Sequence, residues 1–269
     1  MHFLLKLSTS RAQQQLPLNY QYPVSAVIYR ILQQADSAYA GFLHDAGYKQ
    51  KDSMKTFKLF TFSDLKTPFR IIGDRLQLLT RQVELIVSFH LPQAAENFIK
   101  GIFLNQQIEI GDKRSRVIFL VDQVEALPLL LTNDDVQEVI LQPLSAVVAG
   151  IKNEKGHYTF LSPDHPDFVP QLIYNWKEKY ATVYGAEQVA IAFADTAMEV
   201  IFYTNPPKSR LITIKADTPA ETKIRGFVNF GLKVRGEREA LELLLNAGVG
   251  VYNSLGMGGV EVISQFKKA

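Results

Sequence analysis

The stretch "AGVGVYNSLGMGGVEVI" runs from Ala247 to Ile263, six residues short of the end of the chain. Gly248 and Gly250 form one spaced pair, Gly256 and Gly258 a second, and Gly259 follows. Upstream, "EREALELLLNAG" opens with acids and closes on glycine, the punctuation of a helix. Downstream, "GGVEVISQF" has the pattern of a strand. The glycines therefore sit between a helix and the strand that follows it. Dinucleotide and Walker phosphate loops have the opposite order, strand before helix, and the Gly-Lys-Ser/Thr ending of a Walker loop is missing. A tight helix-to-strand connection capped by Gly248 needs one or two glycines. Four, in two pairs, favour close backbone contact with a helix or a ligand, where successive N–H groups form a nest for phosphate oxygens.

The rest of the sequence bounds what such a loop serves. At 269 residues the chain is long enough for one large core or two small ones. Cysteine is absent, which excludes disulfides, thiolate catalysis and cysteine-based zinc sites. No apolar run is long enough to span a membrane, and "MHFLLKLSTS" is too short for a secretory signal; it reads as a strand, and the expected address is cytoplasmic. Net charge is only +2. From Asn205 onward, however, ten Lys/Arg face six Asp/Glu, which suits either a polyanionic partner or a solvated basic face.

Element order predicts an α+β fold. Met1–Ser8 is a strand. Val24, Val27, Ile28, Ile31 and Leu32 have helical spacing. "ADS" (Ala35–Ser37) interrupts that helix with a cap signal, and a second short helix, Ala38–His44, follows. "FKLFTFS" and "PFRIIGD" read as the two strands of a hairpin, "RQVELIVSFH" as a strand, and "PQAAENFIKGIFL" as a helix opened by Pro92. "QQIEIGDKRSRVIFLVDQVEAL" supplies further strand, giving the β-α-β-β-α-β order of a ferredoxin-like unit. In the second half, "LSAVVAG", "HYTFL", "MEVIFYTN", "RLITIKA" and "RGFVNFGLKVRG" read as strands and "DFVPQLIYNWKEKYATVYG" as a helix. The expectation is two tandem ferredoxin-like domains, residues 1–125 and 126–269, joined near Gln123–Asp135, with the glycine-rich loop in the second.

The pattern Gly-Val-Gly, five residues, Gly-Met-Gly, then "VEVI" near the C-terminus resembles the signature of the RAMP superfamily. More narrowly, it resembles the CRISPR-associated endoribonuclease family numbered six, which cuts repeat RNA into guide RNAs. Asn253-Ser254 stand where the family commonly shows an Asn-Ser pair, while Tyr252 replaces the basic residue often found just before it. "LPLNYQYPVSAVIYRIL", "FLHDAGYK…FKLFTFS", "LQPLSAVV" and "YTFLSPDHPDF" resemble further family segments in the expected order.

The resemblance implies RNA cleavage without metal or cofactor: the 2′-hydroxyl attacks the adjacent phosphorus and leaves a 2′,3′-cyclic phosphate and a 5′-hydroxyl. Such chemistry needs a base, an acid and positive charge at the phosphoryl oxygens. His44, in "FLHD", stands at the family's catalytic histidine, and histidine is the side chain suited to proton transfer near neutral pH. Tyr29, in "AVIYRIL", matches a tyrosine that works with the histidine in some members, and Lys58 a lysine that supports the transition state. Whether Tyr29 or His44 is the base stays open. On one unbroken helix the two lie about 22 Å apart, so they share a site only if the chain turns at Ala35–Ser37.

For RNA contact the loop offers Gly248, Gly250, Asn253, Ser254, Gly256 and Gly258. The basic segment "KSRLITIKADTPAETKIRGFVNFGLKVRG" offers Lys208, Arg210, Lys223, Arg225, Lys233 and Arg235, on two hairpin strands that suit phosphates or an RNA stem, or else simply face solvent. "SPDHPD" (Ser162–Asp167) reads as the cap of the following helix rather than a metal site. The implied partners are precursor repeat RNA and proteins of an effector complex; family members include monomers and dimers, so a homodimer is among the implied states. A non-catalytic RAMP protein that binds RNA in an effector complex is the alternative, with a metabolic enzyme on the same scaffold a further rival.

Overall fold

Leu5 and Leu7 alternate with half-exposed neighbours along the first strand, the pattern of a strand with one face on a core. In a computed structural model, which describes residues 1–50, 53–154, 157–204, 206–216 and 218–266, that strand is the centre of a five-stranded sheet. The first half runs β1 (His2–Thr9), β2 (Gln15–Pro17), α1 (Gln21–Ala35), α2 (Ser37–Asp45), β3 (Phe60–Phe62), β4 (Phe69–Ile72), β5 (Arg75–Leu78), β6 (Gln82–Phe89), α3 (Pro92–Leu104), β7 (Gln107–Gly111) and β8 (Arg116–Leu127). The sheet order is β3-β6-β1-β8-β7, antiparallel throughout. Leu5 pairs with Leu85 on one side and Val124 on the other. Helices α1 and α3 pack together, and their apolar stripes share one core with Leu5, Leu7, Phe60, Phe89 and Phe98.

The second half runs β9 (Val136–Pro143), β10 (Ala149–Lys152), β11 (Tyr158–Leu161), α4 (Phe168–Tyr184), α5 (Val189–Ala192), β12 (Ala197–Phe202), β13 (Lys208–Ile214), β14 (Thr222–Val228), β15 (Phe230–Glu237), α6 (Arg238–Ala247) and β16 (Val260–Phe266). Its main sheet is β12-β15-β9-β16, again antiparallel. Helices α4 and α6 are joined by Trp176 Nε1, which donates to Ala240 O at 2.8 Å, and their apolar faces share a core with Phe230 and Leu232. Numbering β1, β3, β6, β8 and then β9, β12, β15, β16 from first to fourth, both sheets have the order second-third-first-fourth.

Several expectations need correction. The strand of "FKLFTFS" does not form a hairpin with "PFRIIGD": β3 pairs with β6, while β4 folds back on β5 through a turn at Gly73, where φ is +60°. A short strand not expected from the sequence, β2, pairs with β5 ahead of α1. "RGFVNFGLKVRG" is two strands of different sheets, divided at Asn229, which has φ +63°. The central strand β9 falls in a stretch read as no strand at all. Asp167 precedes α4 but makes no side-chain cap; its N–H donates to His165 Nδ1 at 3.1 Å.

Candidate active site

Three segments of the first half converge on one point. Asp36 ends α1 and starts α2: its Oδ1 accepts from Tyr39 N at 2.9 Å, an N-cap that turns the chain back on itself. The turn brings the Tyr29 and His44 rings to 5.2 Å, edge to face at 82°. Tyr29 also meets Phe60 edge-on at 5.6 Å. The chain then leaves α2 and forms a bridge, Tyr48 N to Phe57 O at 2.8 Å and Phe57 N to Tyr48 O at 2.7 Å. The bridge delivers the next residue, Lys58, whose Nζ donates to His44 O at 2.7 Å. Tyr29, His44 and Lys58, singled out from the sequence, are neighbours.

Their environments differ. The His44 side chain is 67 % exposed, and its Nδ1 lies 2.7 Å from Asp45 Oδ1. A carboxylate only accepts, so Nδ1 carries the proton in this contact and Nε2 is left for a substrate. The sequence reading passed over Asp45 as an orienting group. Burial pushes the Tyr29 hydroxyl up to about 12, against the pull of its hydrogen bond with the Ser254 side chain. Tyr29 therefore stays protonated at neutral pH and offers an O–H donor. Burial draws the Lys58 ammonium below its usual range, with Asp45 opposing.

The glycine-rich loop reaches this group from the second half. Ser25 Oγ, one turn before Tyr29, donates to Ser254 O at 2.7 Å, and Thr61 Oγ1 donates to Met257 O at 3.0 Å. Here the expectation of an open phosphate nest needs correction. Gly248, Gly250, Gly256 and Gly258 are all buried. The N–H groups of Gly248, Gly256 and Gly258 already donate to Leu244 O, Asn253 O and Ala146 O. A Cβ on Gly256 would meet the Phe62 ring, and one on Gly258 the Val249 carbonyl. The glycines shape the loop against protein. Asn253 is likewise turned inward, its Nδ2 donating to Val249 O and Met257 O, both at 3.0 Å. Ser254 meets Tyr29 through its side chain, and Tyr252 lies against Tyr158 beside it.

Behind the loop stands a residue that the sequence reading missed. Lys179 of α4 is 2 % exposed, and its Nζ donates to Gly248 O at 2.6 Å, Gly250 O at 3.0 Å and Asn253 Oδ1 at 2.6 Å. Burial draws this ammonium down to about 7. A signal was present: Lys179 lies seven residues after Leu172 and three after Trp176, on the apolar face of α4.

The basic residues do not form one stripe. Arg210 points inward with Ile212 and Ile214; its Nη1 lies 2.8 Å from both oxygens of Asp64, which also accepts from Tyr20 Oη at 2.9 Å. This ion pair joins the two halves rather than facing a ligand. Lys233 is engaged by Glu138 at 3.2 Å. Lys208, Lys223, Arg225 and Arg235 are exposed, the first three on the β13–β14 ribbon and Arg235 on the main sheet. Among the described residues, no group of three His, Asp or Glu side chains is placed to hold a metal ion, and no helix is long and apolar enough to cross a membrane.

Residues 15–125 match the family described as CRISPR-associated protein Cas6, N-terminal, and residues 131–262 the one described as CRISPR associated protein Cas6, C-terminal. The CRISPR-associated endoribonuclease Cas6 1 of Methanocaldococcus jannaschii is 28% identical over 249 residues, 91% of this chain and 86% of that protein. The CRISPR-associated endoribonuclease Cas6 of Pyrococcus furiosus is 23% identical over 266 residues, 97% of this chain and 90% of that protein. A solved structure of a CRISPR associated protein Cas6 superposes with TM-score 0.68 at 25% identity, covering 98% of this chain and 99% of that one. The structure described as an RAMP protein binding different RNA substrates gives TM-score 0.77 at 20% identity, covering 98% and 100%, and shows likeness of fold.

Proposed function

The chain belongs to the Cas6 family of CRISPR-associated proteins, and on that premise we propose that it is the endoribonuclease that cuts precursor repeat RNA into guide RNAs, without a metal ion. The observation that carries the mechanism is the contact of Tyr29 and His44 at 5.2 Å with the Lys58 ammonium on the His44 carbonyl. The 2′-hydroxyl of one nucleotide attacks its own 3′-phosphorus. The 2′-proton leaves to a base, the bond to the 5′-oxygen breaks, and that oxygen receives a proton. The products are a 2′,3′-cyclic phosphate and a 5′-hydroxyl.

His44 Nε2 performs the proton transfer, with Asp45 fixing the other nitrogen. Tyr29, protonated, donates a hydrogen bond that positions the phosphate. Lys58 has three donors and spends one on His44 O; the others face the charge that grows on the phosphoryl oxygens. Asn253, Gly248, Gly250, Gly256 and Gly258 act by giving the loop its shape, and Ser254 by meeting the site. Lys208, Lys223, Arg225 and Arg235 supply phosphate contacts away from the cut. The reading of two tandem ferredoxin-like domains rests on the shared strand order of the two sheets, each with two helices on it.

The test is cleavage of repeat RNA in EDTA with end-group analysis. The reading expects a single cut ending in a cyclic phosphate, abolished by a 2′-deoxy substitution at the cut. A cut that needs a divalent ion and leaves a 5′-phosphate would overturn it.

A further inference from the structure

Next to the three site residues lies a cleft of about 600 Å³, walled by the segment before β3, the β10–β11 hairpin, α4 and the glycine-rich loop. Lys58 and Ser254 belong to its wall, so it opens onto the catalytic group. Its other lining residues include Tyr158, Tyr252 and Asn175, none of which the cleavage chemistry uses.

Tyr252 is held at φ +63°, the left-handed region, which a bulky side chain disfavours. Glycine at this position would remove that strain, as it does at Gly250 and Gly256 nearby. The ring is therefore kept against the preference of its own backbone, and such strain is a pointer to function. It is half-buried and meets Tyr158 edge-on at 5.9 Å. Tyr158 in turn stacks on Phe160 at 6.0 Å, with Lys152 Nζ 5.2 Å from its ring centre. On the α4 wall, the Oδ1 of Asn175 is buried and has no hydrogen-bond partner. An unpaired buried acceptor is costly, and a turn of the terminal amide, whose torsion is soft, presents it to an amino or imino N–H of a base.

We propose that this cleft holds one unstacked base of the RNA, from a nucleotide flanking the scissile phosphate, with its face on Tyr252 and its edge toward Asn175. Aromatic faces with cations beside them are the chemistry that holds a single-stranded base, and Lys58 and Lys152 place positive charge where its phosphates run. Fixing that base fixes the sugar and the 2′-oxygen relative to His44. The inference rests on the reading of the chain as an RNA-cutting enzyme.

The experiment is a binding cycle on full-length protein. The cut site is first mapped with wild type, and a 2′-deoxy block at the attacking nucleotide then makes the RNA uncleavable. Affinity is measured for wild type and Tyr252→Gly, each with the parent RNA and with RNA made abasic on either side of the cut. Glycine suits the backbone at 252, and thermal melting checks that the variant is folded. The expected result is that Tyr252→Gly weakens binding of the parent RNA about ten-fold but leaves the affinity for RNA abasic at one flanking position unchanged. A merely loosened loop would weaken all RNAs alike. Equal losses on parent and both abasic RNAs, or no loss at all, overturn the proposal while leaving the cleavage reading intact. Wild type that neither binds nor cuts the parent RNA overturns both.

Discussion

Lys179 Nζ and Asn253 Oδ1 lie 2.6 Å apart behind the glycine-rich loop, and this pair ties the two ends of the loop together. The lysine reaches back to Gly248 O and Gly250 O, while the amide reaches across to Val249 O and Met257 O. One ammonium and one amide thus satisfy five loop acceptors and hold Ser254 against Tyr29.

Lys179→Met keeps the length of the side chain and strands three buried acceptors. The expected cost is about 2–4 kcal/mol in urea unfolding, by the penalty for unpaired buried groups. The pH dependence has a definite sign. The folded protein holds the Lys179 proton less tightly, near 7, than the unfolded chain does near its free value of about 10.4. Between those values the unfolded chain binds more protons, so wild type gains stability as pH rises. Its advantage over Lys179→Met should therefore grow from pH 7 to pH 9. An advantage that stays flat or shrinks would contradict this account.

Two glycines separate close packing from backbone preference. Gly258 has φ +71°, and its missing Cβ would press on Val249 O. Gly73 has φ +60° with nothing within 4 Å. Gly73→Ala should lose about 1–2 kcal/mol for the left-handed backbone alone. Gly258→Ala should lose more than about 3 kcal/mol, since main chain must also move. Equal losses in chemical denaturation would contradict the assignment of the loop glycines to internal packing.

Acid should unfold the protein early. Burial, with the ammonium of Met1 adding to it, pulls His2 and His90 down to about 4. An unfolded histidine titrates near about 6.5. As pH falls from 6.5 to 4 the unfolded chain takes up protons that the folded chain refuses, and stability falls by up to about 1.4 kcal/mol per pH unit for each. Above 6.5 both forms are neutral and the effect vanishes. Thermal melting from pH 7 to 4.5 should show this slope, and His90→Gln should flatten it.

The sequence carried the helices and the outer strands well, because their apolar spacing is regular. It hid β9 for a physical reason. Gln137 stands in the buried phase with Val139 and Leu141, which breaks the alternation; inside the fold its amide is satisfied by Thr132 and Asp134. The partner of β3 was hidden because strand pairing is not local: β6 lies beyond an intervening hairpin. Tyr29, His44 and Lys58 were singled out through motif position, and their proximity was legible through the cap at Asp36. Arg210 was misread as a ligand contact although it shares the inward phase of Ile212 and Ile214. Lys179 was missed because a lysine on a helix is ordinarily a solvated charge, and only its place on the apolar face says otherwise.

The central claim is that His44 moves the proton. The direct measurement is single-turnover cleavage of repeat RNA in EDTA by wild type and His44→Ala, with binding measured in parallel. The side chain is exposed, and among the described residues its contacts are with Asp45 and the Tyr29 ring, so the variant should fold and bind RNA as wild type does. The account predicts cleavage slowed at least about 100-fold at unchanged affinity. Cleavage by His44→Ala at the wild-type rate would contradict it.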